Sequence, residues 1–340
     1  MVITNVRTWQ PVDANSPPDW RTSLGQIAVA VETAEGVVGY GVGGGGAAGM
    51  HVIDAVLGPM LIGRDAEPLE SMWEEMYGAT LPFGRKGIAV MALSGVDLAL
   101  WDLRAKRANQ SVAELLGGGT GRTLPTYTTL WNVVDAETLT GGQAVKLHVR
   151  LEDRSQPVDQ VVTRVAAARE ALGPDRELMI DAWMEWDVDT TLEIARQIEG
   201  LRIGWIEEPI SADDLEGYRR LRDECPIPIA GGEHEFTAIG FAPLIEERLH
   251  QVLQPDVCWC GGLTELVKIY QMAAEAGLRV VPHRGSEVWG LHAIAALDSR
   301  PLAESGRPWM SWVRGQPAIR EGLIEVPEEL GFGVTLAGDE

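Results

Sequence analysis

Five side chains able to do acid–base or metal chemistry recur along the chain at nearly regular steps: Asp181, Glu207, Glu233, Asp256 and His283. The intervals between them are 26, 26, 23 and 27 residues. Each closes a short apolar run, at 178–181, 203–207, 227–233, 252–256 and 279–283. Asp181, Glu207 and Glu233 follow one another on consecutive runs. Bare carboxylates brought together away from water either take up protons or hold a cation, and an all-oxygen set of this density suits Mg²⁺. The competing reading is that each carboxylate caps the helix that follows it. Asp256 and His283 end the next two runs. A carboxylate bonded to one imidazole nitrogen fixes the tautomer and raises the basicity of the other, so this pair has the makings of a general base. Lys146 and His148 stand two apart on a further run and so share a face. On an interior face they would meet a substrate carboxylate; an internal ion pair between Lys146 and Asp181 is the structural alternative.

The elements that must position these groups alternate from about residue 123 onward. Short apolar strands (144–148, 178–181, 203–207, 227–233, 252–256, 279–283) are separated by amphipathic stretches such as 158–172, 190–198 and 263–276. That alternation implies parallel strands joined by helical crossovers. The interval of about 26 residues is the length of one strand–helix unit, which places the five groups at matching C-terminal strand ends. A closed barrel makes such ends converge; an open doubly wound sheet, the alternative, would not gather five of them round one point. The expected architecture is therefore α/β: a TIM-type barrel at 121–320 behind an α+β capping domain at 1–120. In that first part, strands at 26–33 and 37–41 form a hairpin about Glu35-Gly36, and the glycines at 43–46 read as a flexible loop without the lysine of a phosphate loop. Helical periodicity follows at 50–61, 69–77 and 88–106, the last mostly apolar.

Bulk properties narrow the function. With 340 residues the chain has room for a barrel and an accessory domain, and its 45% apolar content can fill both cores. No run reaches the roughly 20 apolar residues of a spanning helix, and the opening MVITNVRTWQ has no secretory h-region. The three cysteines, Cys225, Cys258 and Cys260, form no disulfide framework, so a reducing cytoplasm is expected. Cys258 and Cys260 read as buried barrel cysteines in preference to a soft-metal site. A net charge of −22 argues against nucleic acid and anionic membranes as partners. If the substrate is an anion, positive charge has to be concentrated locally, by a metal or by one of only four lysines: Lys86, Lys106, Lys146 and Lys268.

At these residues the chain resembles the mandelate racemase branch of the enolase superfamily, and within it the acid-sugar dehydratases of the L-rhamnonate dehydratase kind. The stretches that carry the likeness are LMIDAWMEWD (178–187), WIEEP (205–209), GGEHEFT (231–237), QPDVCWCGGLTE (254–265) and VPHRGSEVWGLH (281–292). GRKGIAVMALSGVDLALWDLRAK (84–106) and EGLIEVPEELGFGVTL (321–336) extend it over nearly the whole chain. The resemblance implies a modified (β/α)7β barrel, a C-terminal segment (321–340) that returns to the capping domain, and a homo-oligomer. It implies Asp181, Glu207 and Glu233 as Mg²⁺ ligands and His283, paired with Asp256, as the base. Lys146 would contact the substrate carboxylate. Glu304 would bond that carboxylate as a protonated donor. His148 and His234 would lie near the substrate, and a lid loop at 13–23, with Trp20 and Arg21, would set specificity. Sites of this superfamily combine a Lys or His base with Mg²⁺ that stabilises an ene-diolate. Racemases of the branch carry Lys-x-Lys where this chain has Lys146-x-His148.

The implied reaction is removal of the proton α to the carboxylate of a sugar acid, then loss of the 3-hydroxyl to give a 2-keto-3-deoxy acid. A racemase or epimerase acting on a 2-hydroxy acid, with His148 as second base, is the neighbouring reading. A Schiff-base aldolase on Lys146 would leave the three carboxylates unexplained. A barrel that binds metal without catalysis is the reading outside enzymology.

Overall fold

The computed structural model describes residues 1–11, 25–119, 121–131, 144–149, 157–306 and 310–338. The expected lid loop, with Trp20 and Arg21, lies outside the described residues. A three-stranded antiparallel sheet opens the chain: β1 (Ile3–Trp9), β2 (Ile27–Thr33) and β3 (Val38–Gly43), in the order β1-β2-β3. β1 joins the expected hairpin as a third strand. Its alternation is interrupted by Asn5, Arg7 and Thr8, which leave it half-buried. Helices α1 (Gly46–Val52), α2 (Gly58–Leu61), α3 (Leu69–Thr80), α4 (Ile88–Ala108) and α5 (Val112–Leu115) follow, with a π turn at Ile53–Leu57 between α1 and α2.

Of the glycines read as a flexible loop, Gly43 closes β3 and serves as a packing device, as does Gly41 within the strand. A Cβ at Gly41 would sit 2.0 Å from the Gly95 carbonyl oxygen, and one at Gly43 would sit 2.4 Å from that of Met91. Their absence lets α4 lie directly on β3. Gly44 in turn lies against Met91 and the Trp259 indole, which ties this loop to the barrel.

The second body is the expected barrel. Its strands are β4 (Thr123–Leu130), β5 (Ala144–His148), β6 (Leu178–Asp181), β7 (Ile203–Glu207), β8 (Ile229–Gly231), β9 (Val252–Leu253), β10 (Arg279–Val280) and β11 (Ala303–Glu304). Consecutive strands from β4 to β10 pair in parallel, and β11 pairs in parallel with β4, which carries the sheet round to its own beginning. Helices α6 (Pro157–Leu172), α7 (Val188–Ile198), α8 (Leu215–Glu224), α9 (Thr237–Glu246), α10 (Leu263–Ala276) and α11 (Val288–Leu297) form six of the seven crossovers. The β4–β5 connection lies outside the described residues. Tyr127, Met179, Trp205, Ala230, Val252, Val281 and Leu302 make a separate buried cluster, with the Tyr127 and Trp205 rings edge to face at 5.8 Å. Met179, Trp205, Val252, Val281 and Leu302 stand an even number of residues before Asp181, Glu207, Asp256, His283 and Glu304, and so fill the barrel beneath them.

The C-terminal segment ties the two bodies together. β13 (Leu323–Glu325) pairs antiparallel with β4, and β12 (Val313–Arg314) pairs with β14 (Thr335–Leu336). Phe332 N and Tyr40 N both donate to the buried Asp102 carboxylate, and Trp9 Nε1 donates to Ala337 O. Among the described residues no helix is long and apolar enough to cross a membrane.

Candidate active site

Strand register sets the site's floor. His148, Asp181 and Glu207 are register partners across β5, β6 and β7, so the three stand side by side at one level of the barrel mouth. Lys146, two residues earlier, is buried at 1% exposure, and its ammonium is the hub. Nζ lies 2.6 Å from Glu207 Oε1, 2.8 Å from Glu304 Oε1 and 3.5 Å from Asp181 Oδ2. The expected ion pair with Asp181 is thus the longest of three. Glu207 is fixed further by Gln254 Nε2 at 2.6 Å and Trp205 Nε1 at 3.2 Å, and Asp181 by the Trp183 amide at 3.0 Å.

The dyad is present on the neighbouring strands. His283 Nδ1 lies 3.0 Å from Asp256 Oδ2, and His283 Nε2 faces Glu233 Oε2 at 3.0 Å. Asp256 is also held by the Cys258 amide and by the Arg284 guanidinium. Glu233 has a second imidazole neighbour: His234 Nδ1 lies 3.5 Å from it and 2.7 Å from Glu208 Oε2. All of these sit at C-terminal strand ends, and none of the carboxylates among them serves merely as a helix cap.

Electrostatics reflect the crowding. Burial, reinforced by the Glu207 charge, pushes the Asp181 carboxyl well above the usual carboxylate range, although Lys146 opposes it. Burial also raises Glu207 against the pull of Lys146. Glu233 moves the other way: burial would raise it, but the charge and hydrogen bond of His283 and the charge of His234 hold it low. Burial alone would depress His234, yet its bond to Glu208 and the Glu233 charge lift it to about 9. One lysine cannot neutralise so many acids, and the hard oxygen donors of Asp181, Glu207 and Glu233 fit a divalent cation. In the structure the oxygens of these three do not all come within 4.8 Å of one another. Among the described residues that spacing is met by Glu208, Glu233 and His234. Glu207 is instead paired with Lys146 at 2.6 Å and Glu233 with His283 at 3.0 Å.

Glu304 departs from expectation. It accepts hydrogen bonds from Thr129 Oγ1 at 2.6 Å and from the Arg284 amide at 2.8 Å, besides its ion pair with Lys146. Burial would raise its pKa, but the Lys146 and His283 charges and the hydrogen bonds outweigh that and lower it. A charged acceptor, not a protonated donor, is what this environment favours.

Sequence reasoning passed over Glu208, Arg284 and three tryptophans. Glu208 follows a candidate ligand directly and has φ of +37°, which turns its side chain out of the strand alternation. Arg284 follows His283 directly, and its guanidinium lies 5.0 Å over the Trp259 ring. Trp131 stacks on His148 with centroids 4.1 Å apart, a neighbour that Lys146-x-His148 could not reveal.

Comparison with known proteins places this geometry in a family. Residues 133–340 match the model of enolase C-terminal domain-like proteins, and residues 16–117 match the N-terminal domain of mandelate racemase / muconate lactonizing enzyme. An L-rhamnonate dehydratase of Saccharopolyspora erythraea is 35% identical, the match covering 94% of this chain and 87% of that protein. Among solved structures, 3,6-anhydro-D-galactonate cycloisomerase from Zobellia galactanivorans superposes with a TM-score of 0.88 at 30% identity, over 100% of this chain and 98% of that one. L-Talarate dehydratase from Polaromonas sp. JS666, complexed with Mg and L-glucarate, does so with a TM-score of 0.85 at 32% identity, over 99% and 95%. The chain belongs to the mandelate racemase / muconate lactonizing enzyme family of the enolase superfamily.

Proposed function

We propose that this protein is a Mg²⁺-dependent hydro-lyase that dehydrates a sugar acid, an aldonate such as L-rhamnonate, to a 2-keto-3-deoxy acid. The observation that carries the reading is the His283–Asp256 pair at 3.0 Å, facing Lys146 across a ring of buried carboxylates. Similarity to two proteins named as dehydratases, one of them complexed with Mg, supports it.

Asp181, Glu207 and Glu233 would hold the cation, which when bound supplies Lewis-acid stabilisation of negative charge. The remaining work falls to the chain. Asp256 keeps one proton of His283 on Nδ1. Nε2 meets Glu233 Oε2 at 3.0 Å in the structure and carries the charge that holds Glu233 low, so it must give up its proton and that contact before it can take the C2 proton. The electron pair released onto the substrate carboxylate is met by the Lys146 ammonium, which Glu304 and Glu207 hold in place. A single preorganised donor of this kind is worth roughly 3–4 kcal/mol. The C3–O bond then breaks, His283 returns its proton to the departing hydroxyl as water, and the enol becomes the keto acid. A two-base racemase is less favoured, because His148 lies stacked under Trp131 and Lys146 is shared between Glu207 and Glu304.

The test is a panel of aldonates with Mg²⁺, with and without EDTA, scored with semicarbazide for 2-keto acid and by NMR in D₂O for exchange at C2. Chelator-sensitive keto acid is expected. Exchange without keto acid would turn the reading towards racemisation, and the absence of both would end it.

A further inference from the structure

The capping domain reaches the His283–Asp256 dyad from behind, along the segment 256–264. Asp256 opens a tight turn: its carbonyl oxygen accepts from the amides of Trp259 and Cys260 at 2.9 and 2.7 Å, and its Oδ1 from that of Cys258 at 2.8 Å. The Trp259 ring lies 5.9 Å from that of His283 and carries the Arg284 guanidinium at 5.0 Å. From Gly261 the segment passes into the hold of α3 and α4. Ser94 Oγ accepts from Gly261 N at 2.9 Å, and Trp73 Nε1 donates to Gly261 O at 2.7 Å. Asp97 Oδ2 accepts from Thr264 N at 3.0 Å and Oδ1 from Thr264 Oγ1 at 2.6 Å. Trp101 Nε1 donates to that same hydroxyl oxygen at 2.9 Å.

An aspartate is a costly residue for this place if packing were its only task. Asp97 is fully buried, and burial pushes its carboxyl up to about 7 against the hydrogen bonds of Thr264, with the Glu265 charge adding to the rise. Asp102, further along the same helix, is buried as deeply but has the Lys106 ammonium at 2.6 Å. An apolar side chain would pack α4 on α10 without the penalty of burying a carboxyl group. The chain nevertheless makes room for Asp97: Gly262 has φ of +84°, and a Cβ there would stand 2.3 Å from Asp97 Oδ2. Gly262 gives α10 no side-chain cap of its own, so Asp97 supplies the acceptor for its first turn from another domain. The contact fixes where α10 begins, and the segment that leads into α10 begins at Asp256.

We infer that the capping domain supports the general base: Asp97 is a positioning residue that, through Thr264, with Ser94 acting through Gly261, holds Asp256 and Trp259 in register with His283. This rests on the dehydratase reading and adds to it a part for the capping domain in proton transfer, at residues that touch neither substrate nor cation.

The experiment measures kcat and KM for an aldonate the parent enzyme turns over, C2 exchange in D₂O, and Mg²⁺ affinity by calorimetry. Asp97→Ala should lower kcat and exchange together by about 10- to 100-fold, the scale of a small misplacement of reacting groups, while KM and Mg²⁺ affinity stay within about two-fold. Asp97→Asn can accept from the Thr264 amide and donate to its hydroxyl oxygen, so it should return kcat to within a few-fold of the parent. Asp102→Asn is the control, a buried carboxylate of the same helix that faces Tyr40 and Phe332 instead; it should lower the thermal midpoint and leave kcat unchanged. If Asp97→Ala does not fold, Ser94→Ala, which removes only the bond to Gly261 N, should show the same split at smaller size. An Asp97→Ala enzyme with the parent's kcat, a loss that Asp97→Asn does not repair, or an equal loss in Asp102→Asn would overturn the inference and leave the dehydratase reading standing. A parent enzyme that gives neither keto acid nor C2 exchange from any aldonate would overturn both.

Discussion

Asp256 serves two cations at once, because the His283 imidazole and the Arg284 guanidinium meet the same Oδ2. Its replacement should therefore be felt in two separate ways. Asp256→Asn removes the anion that fixes the His283 tautomer, and kcat should fall on the order of 10²–10⁴-fold, with C2 exchange falling alongside. It also leaves the largely covered Arg284 charge without its ion-pair partner, which should cost up to roughly 3 kcal/mol of stability. Adding Arg284→Gln should recover most of that stability in urea unfolding and none of the turnover. A single variant that kept kcat within a few-fold of the parent would remove the dyad from the mechanism. Asp256 and His283 were legible in the sequence because each ends a strand at the interval of one strand–helix unit. Arg284 was not, since an arginine beside a histidine reads as any surface cation until the fold turns it back over Trp259. The charge state of Glu304 was hidden for a related reason: it depends on Thr129, Lys146 and the Arg284 amide, which reach it from three separate segments.

Among the elements, α11 is fastened to the capping domain by one imidazole. His292 Nδ1 accepts from Ala113 N at the start of α5, and Nε2 faces Phe332 O of the C-terminal segment at 3.3 Å. Accepting requires a neutral ring, and burial pushes the His292 pKa down to about 4, against the Phe332 carbonyl, which favours the charged form. The unfolded chain takes up this proton near pH 6.5, before the folded one does. The stability His292 contributes is therefore fully present above about pH 6.5 and is lost as the pH falls towards 4, on the order of 3 kcal/mol across the window. His292→Gln keeps an acceptor and does not titrate, so its urea midpoint should decline less than the parent's between pH 7.5 and 5. Equal declines would show that this imidazole is not a source of acid sensitivity. Packing of β3 on α4 gives a second expectation: Gly41→Ala, which drives a Cβ to 2.0 Å from the Gly95 carbonyl oxygen, should lower the thermal midpoint. The long helices and the apolar strands β5, β6 and β7 were readable because their periodicity extends over enough residues. β4 is rich in threonine and holds a proline, and β11 is only two residues long, so neither announces itself as a barrel strand. Gly43 was misjudged because composition cannot tell a glycine that flexes from one that makes room for a neighbouring helix.

At the scale of the whole molecule the charge of −22 works on the two proposed ligands in opposite directions. A divalent cation is drawn in. Its binding should offset the burial, and the repulsion from Glu207, that together raise Asp181, so Mg²⁺ should raise the thermal midpoint, by an amount equivalent to about 2.7 kcal/mol at a hundred times its Kd. EDTA should reverse the gain, and Glu207→Gln should shrink it. A sugar acid, by contrast, approaches a surface of its own sign and meets attraction only at the Lys146 floor and the bound cation. Salt shortens the reach of the surface field from about 30 Å at 0.01 M to about 8 Å at 0.15 M. The floor residues are buried and are screened far less. With Mg²⁺ held saturating, raising KCl across that range should therefore increase kcat/KM for the acid by a few-fold while kcat changes little. A fall in kcat/KM would mean that positive charge at the mouth outweighs the acidic surface and steers the substrate in. The direction of this salt dependence, measured on the intact enzyme, separates a site that captures its substrate in spite of the molecule's field from one that captures it by means of that field.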